Sequence, residues 1–143
     1  MGLLDNYTGI GMSPRPKWQH QIVINALLTN TALELRKKHL LMLSEATVTD
    51  NWDDLAPDLV IFDECFYPLC IIEITTHKEL REIKNKCMYL VARFPDSEFF
   101  VFDYEFLVLY KYDMETDRWN DSLQNELYSV YLKLPLTEYL YLD

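Results

Sequence analysis

The sequence predicts an α/β fold organised as a single domain over residues 1–143. Three observations carry that expectation. A chain of 143 residues is one domain's worth and buries roughly two-thirds of its extended surface. Two short runs, Leu59-Val60-Ile61-Phe62 and Leu69-Cys70-Ile71-Ile72, are apolar at every position. Runs of that kind are strands covered on both faces, as in sheets flanked by helices. Finally, stretches with apolar residues at spacings of three and four lie before and after these strands.

In chain order, residues 1–17 hold all three glycines and the run Ser13-Pro14-Arg15-Pro16, which reads as a short strand or loop and then a stiff turn. From Trp18, apolar Ile22, Ala26, Leu27, Leu33 and Leu35 recur among polar residues, predicting an amphipathic helix to about Lys38. The basic triplet Arg36-Lys37-Lys38 suits its C-terminus. Residues 40–48 are strand-like. Pro57 opens the next strand, over 57–63, and a turn through 64–68 returns the chain into a strand over 69–76. Residues 78–93 form a second helix, with Leu80, Ile83, Cys87, Leu90 and Val91 in one stripe. Strands follow over 98–103 and 106–112, a hairpin turn over 114–117, a strand over 127–134, and a short terminal helix over 136–142. The outline is helix, three strands, helix, strands.

Composition narrows the function classes. Half the residues are hydrophobic, a quarter charged, and no apolar run reaches 18 residues, so neither disorder nor a membrane span is expected. The start lacks the basic and apolar regions of a signal peptide, which points to the cytoplasm. Cys65, Cys70 and Cys87 fit no zinc-knuckle spacing and leave one unpaired in any disulfide scheme, so they read as reduced thiols in or near the core. The net charge of −10 argues against a general nucleic-acid coat. It is uneven: residues 1–93 carry 12 acids and 10 bases, and residues 94–143 carry 11 acids and three bases. No Gly-rich phosphate loop and no GxSxG elbow is present.

Two acids stand in otherwise apolar strands, Asp58 at the start of one and Glu73 near the end of the next. A carboxylate inside Ile71-Ile72-Glu73-Ile74 is costly unless a cation, a donor or an open strand end meets it. The pair could hold Mg²⁺, with Mn²⁺ as a substitute, or could simply be exposed strand-end acids. A lysine beside it would complete a phosphodiester-cleaving set. Thr75, not lysine, stands two residues after Glu73, but Lys84 and Lys86 flank the stripe of the following helix and either stem could reach back. His20, in the first turn of the first helix, could assist or could be a surface or capping residue. His39 and His77 stand apart from any cluster.

Met12-Ser13-Pro14-Arg15-Pro16, then His20, then Pro57-Asp58-Leu59-Val60, then Ile72-Glu73-Ile74 together resemble the Uma-type restriction-endonuclease-like family of the PD-(D/E)XK nuclease superfamily. Glu82 with Lys86 and the aromatic strand ending in Asp103 continue the resemblance over most of the chain. It implies a restriction-endonuclease-like core, a mixed four- to five-stranded sheet flanked by helices. It further implies Asp58 and Glu73 as metal ligands, Lys86 (or Lys84) as the lysine displaced from the strand, and His20 as the histidine of the opening motif. The sequence departs from the family pattern at Leu90, Phe94 and Thr76-His77, where a tyrosine, a glycine and Ser-Pro are usual. The implied activity is Mg²⁺-dependent hydrolysis of DNA, by a homodimer if both strands are cut, with RNA as another substrate. The competing expectation is a non-catalytic interaction or regulatory protein on the same scaffold, which the acidic second part favours.

Overall fold

The computed structural model describes residues 18–45, 56–131 and 140. Within them the chain forms α1 (Trp18–Lys37), β1 (Leu41–Ser44), β2 (Leu59–Phe62), β3 (Pro68–Thr75), α2 (Leu80–Arg93), β4 (Glu98–Asp103), β5 (Val108–Asp113) and β6 (Arg118–Asp121). The strands make one sheet in the order of the chain, β1 to β6. Each neighbouring pair is antiparallel except β3 and β4, which run parallel. A parallel pair needs a crossover between its strands, and α2 supplies it.

Side-chain alternation divides the core between the two sheet faces. Leu59 and Ile61 of β2, Ile72 and Ile74 of β3 and Phe100 and Phe102 of β4 pack with Val23, Ile24, Leu27 and Leu35 of α1. Val60, Phe62, Ile71 and Phe99 pack on the other face with Leu90 and Val91 of α2. Both faces are therefore covered, which is why β2 and β4 are buried at every position. Fully burying one such Leu or Phe contributes roughly 1.5–3 kcal/mol.

α1 ends in a Schellman turn. His39 takes a positive φ of 57°, the Leu40 N–H donates to the Leu35 carbonyl and the His39 N–H to that of Arg36. The turn folds the chain straight into β1.

The mixed sheet and its flanking helices are as the sequence predicts, but among the described residues the strands number six. The added strand is β6, a short edge with a half-exposed pattern and a single large apolar residue, Trp119. The hairpin turn over 114–117 closes into β6 at once. Of the strand expected over 127–134, residues 127–131 hold only an isolated bridge residue, Tyr128, and residues 132–134 lie outside the described residues. There the Tyr128 carbonyl accepts from Lys111 Nζ and the Val130 N–H donates to Glu98, so side chains satisfy the backbone in place of a ladder. The opening segment 1–17 and the terminal helix expected over 136–142 also fall outside the described residues, apart from Leu140. Cys70 and Cys87 are buried thiols, whereas Cys65 is exposed, because it sits in the β2–β3 turn. No helix among the described residues is long and apolar enough to cross a membrane.

Candidate active site

β3 presents Ile72 and Ile74 to α1, so alternation turns Glu73, with Ile71, towards α2. Glu73 is 1 % exposed. Its Oε1 accepts from the Asp58 N–H at 2.9 Å, and its Oε2 accepts from Lys86 Nζ at 3.0 Å. Asp58 stands one residue before β2, beside Glu73 in the antiparallel register, and its Oδ2 accepts from the Ile74 N–H at 2.7 Å. Each acid thus bonds backbone at the other's strand, which fixes the two carboxyl groups together.

His20, in the first turn of α1, meets the same oxygen from the other side of the sheet, with Nε2 3.3 Å from Asp58 Oδ2. Among the described residues its Nδ1 is buried without a hydrogen-bond partner. Burial opposes its positive charge, yet the bond to Asp58 and the nearby carboxylates outweigh that, and its pKa is raised. Burial, reinforced by the neighbouring Asp58 charge, pushes Glu73 up to about 7 despite the opposing Lys86 ammonium. Glu73 therefore holds its proton more tightly than an ordinary glutamate, within hydrogen-bond reach of a lysine.

The fold brings together four of the five sequence candidates, Asp58, Glu73, Lys86 and His20. It does not bring Lys84 there. Lys84 and Lys86 lie two residues apart, on opposite sides of the helix, and the Lys84 ammonium lies 3.7 Å from the centre of the Tyr110 ring, with Trp119 beyond it. Burial lowers its pKa, partly offset by Asp121. Among the described residues no group of three or more His, Cys, Asp or Glu side chains is arranged to hold a metal ion.

Sequence reasoning missed a second polar cluster at the same strand ends. His77, which the sequence leaves isolated, has Nδ1 2.8 Å from Oδ2 of the fully buried Asp103. Nothing in a 26-residue separation signals this; it follows from the parallel pairing of Thr75 with Asp103.

No protein-family model and no curated protein matches the chain. Among solved structures it is similar to the crystal structure of a protein from Anabaena variabilis ATCC 29413, described as a “putative nuclease belonging to DUF820”. The match has a TM-score of 0.65 at 11% identity and covers 91% of this chain and 84% of that one. At that identity the likeness establishes the fold alone: a restriction-endonuclease-like α/β core with a mixed sheet flanked by helices.

Proposed function

We propose that the chain is an Uma-type, divalent-metal-dependent endonuclease that hydrolyses phosphodiester bonds in DNA. The observation that carries this reading is the Glu73 carboxyl group, buried beside Asp58 and tied to the Asp58 N–H and to Lys86. Two adjacent carboxylates in a desolvated strand end repel each other, and a bound cation relieves the repulsion. Asp58 and Glu73 would hold Mg²⁺, or Mn²⁺ in its place. Mg²⁺ commonly takes one or two protein carboxylates and completes its shell with water and substrate phosphate, so a two-carboxylate site fits it.

When bound, the metal supplies Lewis-acid polarisation of the phosphate and a water of lowered pKa. The protein's own residues do the rest. Lys86 balances Glu73 in the resting protein and offers its ammonium to the charge that develops on the phosphate. The backbone N–H groups of Asp58 and Ile74 hold the two acids in register. His20 bonds Asp58 and fixes the orientation of its carboxylate. A module this small would act on both strands of a duplex as a two-fold dimer.

The other reading, a non-catalytic scaffold, draws on those same backbone bonds, which partly satisfy the acids without any ion, and on the net charge of −10. Calorimetric titration of Mg²⁺ and Mn²⁺ into the protein, Asp58→Asn and Glu73→Gln, followed by incubation with plasmid DNA and with RNA, separates the two. Binding lost in both variants, with metal-dependent DNA cutting by the wild type, supports the nuclease. An uncut plasmid together with no binding at millimolar metal overturns it.

A further inference from the structure

We propose that His77 is a second substrate-binding residue, its outward Nε2 contacting a backbone phosphate next to the one engaged at Asp58 and Glu73. The argument starts from Asp103. Three hairpin turns of the sheet open on an aspartate whose Oδ1 accepts backbone N–H groups: Asp63 from Cys65 and Tyr67, Asp103 from Glu105 and Phe106, Asp113 from Glu115. Asp63 and Asp113 do this half-exposed, whereas Asp103 does it fully buried. Turn chemistry alone therefore does not require burial, and burying a carboxylate is unfavourable. What distinguishes Asp103 is its other oxygen, which holds His77 Nδ1 at 2.8 Å.

The imidazole is restrained in two further ways. It stacks on Phe106 with ring centres 3.9 Å apart and planes 2° from parallel, and its backbone N–H donates to Glu105 Oε1 at 2.9 Å. Yet the His77 side chain remains 50% exposed. A surface histidine held at three points, with Nδ1 committed to a carboxylate, presents Nε2 outward in a fixed direction. In its imidazolium form that nitrogen is a charge-assisted donor suited to a phosphate oxygen.

Position links the dyad to the candidate active site. In the parallel register Glu73 pairs with Val101 and Thr75 with Asp103, so Asp103 lies two strand residues beyond the Glu73 row, about 7 Å. That is the order of one step along a nucleic-acid strand. The identity of the ligand rests on the nuclease reading; the geometry of the dyad does not.

The test is fluorescence anisotropy of a labelled DNA duplex with Glu73→Gln protein, in which cutting is suppressed, compared with the same protein carrying His77→Ala. His77→Ala is expected to weaken binding about ten-fold, the loss of one charge-assisted hydrogen bond. His39→Ala, at an exposed histidine remote from both clusters, serves as the control and is expected to bind like its parent. Equal binding with and without His77, or no binding by the Glu73→Gln parent, overturns the proposal. Failure of the nuclease reading registers separately, as wild-type protein that leaves DNA intact with Mg²⁺.

Discussion

The sheet contains two buried glutamate–lysine pairs with the same separation and different surroundings. Glu73 and Lys86 meet at 3.0 Å between β3 and α2, and Glu98 and Lys111 meet at 3.0 Å between β4 and β5. Around Glu98 the further hydrogen bonds among the described residues all come from donors: Ser129 Oγ bonds one oxygen, and the Val130 N–H joins Lys111 at the other. Lys111 in turn donates to the Tyr128 carbonyl. That pair is a clamp fastening residues 128–130 to the sheet. Around Glu73 the protein supplies one backbone donor and one lysine, then sets a second carboxylate beside it. The lesson is that a buried ion pair is not in itself a functional signal. The like charge placed next to it is what singles out the Glu73 end as the candidate site.

Mutating both ends sharpens that contrast. On the nuclease reading, Asp58→Asn or Glu73→Gln should lower metal-dependent DNA cutting about 1000-fold, measured as initial rates on plasmid, while Glu98→Gln leaves the rate of the folded protein unchanged. Stability should respond the opposite way. Glu98→Ala strands Lys111 and two further donors, and should cost about 3 kcal/mol in urea unfolding, as expected when one partner of a buried pair is removed.

The pH dependence of stability probes the Glu73 end. Its folded pKa, about 7, lies above its ordinary 4.5, so the folded state holds the proton more tightly. The associated stability is fully present below about 4.5 and is lost as pH rises through about 7, a change of about 3 kcal/mol. His20, also raised, shifts stability in the same direction. Urea midpoints taken from acid to mildly alkaline pH should fall for the wild type and fall much less for Glu73→Gln. The smallest effect belongs to Lys84. Lys84→Ala should cost about 1 kcal/mol through its lost contact with Tyr110 and leave cutting intact, whereas Lys86→Ala should impair it.

Much of this architecture is legible in the chain because the strongest signals are local. Continuous apolar runs identify β2 and β3 as central strands, and an acid inside such a run, Glu73, declares itself by its cost. The choice between Lys84 and Lys86 is not local: both flank the buried stripe of α2, and only the packing of that helix on β3 and β4 decides which reaches Glu73. The His77–Asp103 and Glu98–Lys111 pairs escape notice for the same reason, since each joins residues brought together by strand pairing. β6 escapes for the opposite one. An exposed edge strand needs no apolar alternation, so Arg118-Trp119-Asn120-Asp121 carries little pattern to read, while the more apolar 127–134 attracts the strand assignment instead.

The agreement between sheet order and chain order bears on how the protein folds. Each strand pairs with the one just made, through short hairpin turns except at the β1–β2 link and the β3–α2–β4 crossover. Such a topology has a low contact order for a sheet of this size, so little chain entropy is lost before each new pairing is rewarded. Asp58, Glu73 and Lys86 all belong to the consecutive segment β2–β3–α2. During synthesis that segment leaves the ribosome before β4 does, and α1, carrying His20, is already waiting. The acids and their lysine are thus among the earliest contacts open to the growing chain, and the Glu98 clamp, which needs residues 128–130, is among the last.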